Sequence, residues 1–339
     1  MRSSNIELCR IASILLVLLV HSAFAANGYP QDITKSNIWL IALESLSIIG
    51  VNVFIFISGF FSIKLKPKTI YTLFFACGFY WLLLTCFAIF SGEGFELKNI
   101  LFVSNSHYFI LDYLGLALLS PILNKFSKDS DKRLFAKVLL LLIIYQTYFD
   151  CITGANSTEF DSGYSLMSFS IIYLIARYIR IYGVPAILIK WSGTMYIISS
   201  VLLFTVSIVL VKLRYHSALY KVFAYDNPIV IFSTICFFLY FLKMKVTNSK
   251  LINIVAKSTL GVLLFHASTS ATPTVWTYMK HIFIQLAHNI SIVNMFLWLT
   301  IVVVIFIVAT TIDQIRVYLS DKIFEKIKIN NHGLQDTVV

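Results

Sequence analysis

Arg10-Ile11-Ala12-Ser13-Ile14-Leu15-Leu16-Val17-Leu18-Leu19-Val20-His21 is an apolar run with an ionisable residue at each end. Residues 6–25 around it are long enough to cross a bilayer as a helix, which takes about 20 mostly apolar residues. Nine more segments of this kind follow, at 38–62, 70–90, 107–124, 134–152, 164–182, 190–211, 226–243, 257–276 and 292–316. The segment at 107–124 is short and holds Asp112 and Pro121. The one at 257–276 carries His266 and then the small polar run Ala267 to Pro273, which is placed to break a helix. The expected fold is all-α, a polytopic membrane helical bundle of about ten transmembrane helices. It would form one domain over residues 1–320 with a short cytoplasmic tail over 321–339.

Composition agrees. Of 339 residues 58% are hydrophobic and 13% charged, about half the charge of an ordinary soluble domain. The net charge of +11 would suggest nucleic acid in a soluble protein. Here the basic residues flank apolar runs, so the expected partner is membrane lipid and no nucleic acid. With the N-terminus inside, only Lys35, Lys98, Lys212, Arg214, Lys221 and Lys280 fall outside, and 21 of the 27 lysines and arginines fall inside. That asymmetry puts both termini of a multi-pass membrane protein in the cytoplasm. The five cysteines have no paired spacing, which fits neither a disulfide framework nor a metal site. Ala23-Phe24-Ala25 resembles a signal-peptidase site, and cleavage there would remove the first helix; Glu7 in the basic region and His21 just before the site weigh against it. Asn156-Ser157-Thr158 is a glycosylation sequon, with meaning only in a host that has the eukaryotic pathway.

The chemistry starts on the first helix. Eleven residues separate Arg10 from His21; on an α-helix that is three turns plus about 20°, and a rise of about 16 Å. Both side chains therefore share a face, with Arg10 at the cytoplasmic rim and His21 deep in the bilayer. Glu7, one turn before Arg10, lies on the same face. Arg10 alone is an ordinary inner-surface anchor, and His21 alone an ordinary hydrogen-bonded core histidine. Together within one span they point to a cavity or pathway. In the second span Asn52 lies about 15 Å from the inner end, a depth comparable to that of His21; interhelical hydrogen bonding is its alternative role. His266, nine residues beyond Lys257, is a second histidine about 13 Å deep. Lys64, Lys66 and Lys68 form a cationic cluster at the cytoplasmic surface, suited to a polyphosphate or to lipid headgroups. Glu44, Asp112 and Asp226 sit toward outer helix ends, where an acceptor could meet them or where they could serve as caps.

The order and spacing of these pieces resemble acyltransferase family 3, bacterial integral-membrane O-acyltransferases of surface polysaccharides. Asn5 to Arg10 followed by His21 resembles the family's opening. Val51 to Phe61 resembles its aromatic segment ending in Ser-Gly-Phe, and Ser120-Pro121 its turn after the fourth helix. Tyr173 to Arg180, Asn227-Pro228 and Thr259 to His266 resemble later stretches. Asn52 stands where many members carry aspartate, Leu263 replaces a tyrosine, and an arginine-rich segment is reduced to Lys64, Lys66 and Lys68. The resemblance implies that acetyl-CoA, or another acyl-CoA, is the co-substrate, with no metal. Arg10 and the three lysines would meet its phosphates. His21 would act as general base or accept the acyl group, with Asn52 or His266 orienting it or stabilising an oxyanion. The acceptor would be a hydroxyl of an extracytoplasmic or lipid-linked glycan. Two competing readings are a secondary transporter or flippase for a sugar, and a non-catalytic receptor. A transporter needs no one-sided anion site of the kind Arg10 and the lysines suggest.

Overall fold

The computed structural model describes residues 3–90, 108–153, 160–267 and 273–335. Among them every regular element is helical. The first helix, α1 (Ser4–Val20), carries Glu7 in its first turn, where a carboxylate complements the helix dipole. It runs on without a break into a π-helical turn, His21–Ala25. Thr34 caps α2 (Lys35–Ser47), its hydroxyl accepting from the Asn37 amide at 3.1 Å. A short bend leads to α3 (Gly50–Phe61), and Ser62 ends that helix at φ 65°. Pro67, which has no amide hydrogen to lose, opens α4 (Pro67–Phe90).

Beyond α5 (Tyr108–Asp129) lies α6 (Lys132–Gln146), capped by Asp131, and a second π-helical turn at Thr147–Ile152. Ser165 caps α7 (Leu166–Tyr182), and Pro185 precedes α8 (Ala186–Lys212). After α9 (His216–Val222), Asn227-Pro228 starts α10 (Pro228–Lys243). Then come α11 (Lys250–Val255), a 3-10 turn Ala256–Ser258, α12 (Thr259–Ala267), α13 (Pro273–His288) and α14 (Ile292–Gln335).

Seven described spans are long and apolar enough to cross a membrane: Ser4–Ala25, Lys35–Phe61, Pro67–Phe90, Tyr108–Asp129, Ala186–Lys212, Lys250–Ala267 and Ile292–Glu325. Each of the ten expected segments falls on helix. Those at 164–182 and 226–243 fall on α7 and α10, whose 17 and 16 residues are short of a full crossing. Several boundaries differ from expectation: the segment 38–62 is divided into α2 and α3, and α5 runs through Ser120-Pro121 to Asp129. The segment 257–276 is not one helix: α12 ends at Ala267, and α13 begins at Pro273, a residue that starts helices more readily than it continues them. The polar run 268–272 between them, like the sequon at 156–158, lies outside the described residues. The last helix runs past 316 to Gln335, so residues 321–335 continue α14. No proline or glycine interrupts the chain from Ser291 to His332.

The first helix is the centre of the bundle. It packs against α2, α3, α10, α11, α12 and α14. Close approach is bought with glycine: a Cβ on Gly50 would lie 2.9 Å from the Ser13 carbonyl of α1, and one on Gly59 2.5 Å from the Tyr173 carbonyl of α7. Large apolar side chains such as Leu140, Ile198, Phe296 and Ile307 face outward, while Ser13, Glu44, Asn52 and Asp313 are buried. An apolar exterior over a polar-containing interior is what a lipid solvent requires.

Candidate functional site

One face of α1 forms the wall of a cavity of about 470 Å³. Arg10, Ile14, Val17, His21 and Ala25 line it, at the spacing of a single helical stripe. Across from them stand Phe54 and Ser58 of α3, Tyr108 and Tyr113 of α5, Lys257 and Leu263 near and on α12, and Trp276 of α13. Arg10 and Lys257 mark one end of the stripe and His21 the other.

At the His21 end two imidazoles meet. Nε2 of His266 lies 2.9 Å from Nδ1 of His21, and the Nδ1 of His266 is bonded to the Val262 carbonyl one turn back. A carbonyl can only accept, so the hydrogen on His266 is on Nδ1. In the neutral ring Nε2 then carries the lone pair and accepts from the Nδ1–H of His21. The Nε2 of His21 is left with its lone pair free for chemistry. Trp276 sets an indole edge against the His21 ring, with centroids 5.9 Å apart and planes at 82°. His266 is fully buried. The π-helical turn begins at His21 itself; such turns widen a helix locally and recur at functional positions.

At the other end Arg10 bonds Glu7 through Nη1 at 2.7 Å and keeps its side chain 31% exposed. Between the ends, the Ser58 and Tyr113 hydroxyls lie 3.3 Å apart.

The structure thus brings Arg10, His21 and His266 to one cavity region. Asn52 is elsewhere. Its side chain is fully buried, donates to the Tyr225 carbonyl at 2.7 Å, and does not line the cavity. Lys64, Lys66 and Lys68 are exposed and line no part of it; Lys68 pairs with Asp321 at 3.4 Å and lies over the Phe324 ring. Glu44 is buried behind the π turn, 3.4 Å from the Phe24 amide. Lys257 and Trp276 were not singled out by sequence. Lys257 resembles any inner-surface lysine until the turn at Ala256–Ser258 is known, and Trp276 depends on where α13 starts. Also absent from the sequence reading is a buried cluster on the far side of α12. Asp313 accepts two bonds from Arg316, at 2.6 and 2.9 Å, and one from Tyr80 at 3.0 Å.

A family model described as an acyltransferase domain matches residues 3–312. No curated protein and no solved structure matches the chain.

Proposed function

Because the chain belongs to acyltransferase family 3, we propose that it moves an acyl group, acetyl in the first instance, from cytoplasmic acyl-coenzyme A to a hydroxyl of an extracytoplasmic or lipid-linked glycan. The bonded pair His21–His266 at one end of a cavity whose other end holds Arg10 is the observation that supports this most. Arg10 faces the phosphates of the donor. The pantetheine arm, an extended chain, lies along the α1 stripe over the helical rise of about 16 Å from Arg10 to His21, and the thioester arrives at the imidazole.

The Nε2 of His21 takes the proton of the acceptor hydroxyl as the oxygen attacks the thioester carbonyl. The carbon–sulfur bond breaks, the thiolate leaves, and the proton on Nε2 passes to it. The positive charge that forms on His21 is stabilised through its Nδ1–H by the lone pair of His266, whose own Nδ1–H is anchored on Val262. His266 therefore does for His21 what an orienting residue does in a catalytic triad. The proposed setting is the bacterial cytoplasmic membrane, with both termini inside.

The test uses membranes given labelled acetyl-coenzyme A and the host glycan. Wild type should label the glycan, while His21→Ala and Arg10→Ala should lose label, His21→Ala by more than about 100-fold. Equal labelling by all three overturns the reading. Loss of glycan export with acetylation intact would favour a transporter.

A further inference from the structure

We propose that Lys257, on the 3-10 turn between α11 and α12, adds a second cation to the cavity and binds the phosphate groups of the donor together with Arg10. The inference rests on the acyl-coenzyme A reading above.

Charge balance is the first ground. Arg10 is already engaged by Glu7 at 2.7 Å, so part of its charge is taken up by that carboxylate. Lys257 lines the same cavity and has no carboxylate in ion-pair reach among the described residues. Among the described residues, Lys257 thus adds an unpaired cation beside the Arg10–Glu7 pair.

Register is the second. The nine residues from Lys257 to His266 rise about 13 Å, and the eleven from Arg10 to His21 about 16 Å. The two imidazoles are bonded at 2.9 Å, so each of the two chain segments that meet there carries a histidine at the contact and a cavity-lining cation about 13–16 Å back along it.

Support of the turn is the third. Ala256 and Ser258 are buried on either side of the exposed Lys257. Gln314 of α14 donates to the Ser258 hydroxyl at 2.6 Å and to the Ile254 carbonyl at 3.3 Å. The turn is held by α14 while Lys257 lines the cavity. Lys64, Lys66 and Lys68 have no such placement.

A lysine at this surface could instead hold a lipid phosphate, and the test separates the two. The full chain is placed in nanodiscs of zwitterionic lipid and assayed with acetyl-coenzyme A and with acetyl-pantetheine, which lacks phosphate. For Lys257→Gln the KM for acetyl-coenzyme A should rise about tenfold while kcat holds, and the KM for acetyl-pantetheine should stay as in wild type. Lys257→Arg should restore the first value. A triple Lys64→Gln, Lys66→Gln, Lys68→Gln variant should change neither. The proposal is overturned if Lys257→Gln affects both donors alike, if it affects neither, or if the triple variant carries the phosphate-specific loss. If wild type transfers from neither donor, the enzymatic reading itself has failed. Calorimetric binding of coenzyme A still decides the role of Lys257, because equal affinity in wild type and Lys257→Gln overturns it.

Discussion

A histidine whose Nδ1–H is accepted by a second neutral imidazole is oriented without adding a negative charge to the bilayer interior, where an isolated carboxylate is expensive. That is the setting of His21 on His266. Removing the acceptor by His266→Ala should lower kcat by about 10–100-fold, less than the roughly 100–10,000-fold that a general base itself contributes, with KM for the donor unchanged. His266→Gln, whose amide oxygen can still accept, should recover part of the loss. An unchanged kcat in His266→Ala would remove the relay. Asn52 should behave in the opposite way. Its bond to the Tyr225 carbonyl ties α3 to the chain before α10, so Asn52→Ala should cost about 1–3 kcal/mol of stability and leave kcat per folded molecule intact. A drop in kcat at unchanged melting temperature would put Asn52 in the chemistry. From sequence the two residues looked alike, polar and mid-span. Depth along a helix can be counted from residue numbers, so His21 and His266 were recognisable as neighbours in height. Which way Asn52 faces depends on a carbonyl 173 residues away, and spacing does not reveal that.

At the level of elements, the contact of α12 with α14 decides whether His266 is in place. A Cβ on Gly261 would lie 1.8 Å from Oδ1 of Asp313, inside the cluster that joins α4, α12 and α14. Gly261→Ala should therefore lower both melting temperature and activity, since the Asp313 carboxylate must move and its bonds to Arg316 and Tyr80 move with it; overpacking of this kind costs about 1–3 kcal/mol. Arg316→Met leaves a buried carboxylate without its cation and should cost more, about 3–5 kcal/mol. Tyr80→Phe removes one hydrogen bond and should cost about 1 kcal/mol. Thermal unfolding in detergent orders the three, and a Tyr80→Phe loss as large as that of Arg316→Met would mean the cluster is not built around the ion pair. The segments expected from 134 and 226 start within two residues of α6 and α10, whose starts Asp131 and Asn227-Pro228 set locally. The division of 257–276 into two helices was foreshadowed by Pro273, but an apolar count alone merged α12 with the start of α13. Pro121 did not break α5, where Ser120 bonds back to the Ala117 carbonyl at 2.7 Å and the helix runs on to Asp129.

Across the whole molecule, orientation follows from lysine and arginine counts and can be checked without any substrate. In a cysteine-free background, Ser36→Cys at the start of α2 should react with an impermeant maleimide on intact cells. Ser130→Cys between α5 and α6 should react only after permeabilisation. The reverse pattern would invert the bundle and place Arg10 on the outside. Membrane class was legible in composition, while the ten apolar segments read there stand against seven described spans long and apolar enough to cross. The placement of α1 at the centre was not legible, because its partners come from the far end of the chain. Asn5 donates to the Phe241 carbonyl, Ser22 accepts from Trp298, and His21 waits for His266. During biosynthesis that separation becomes a delay. A ribosome adding about 5–20 residues per second needs about 12–50 s to make the 245 residues between the two histidines. Until α12 is made, a nascent chain has one wall of the cavity but no imidazole pair.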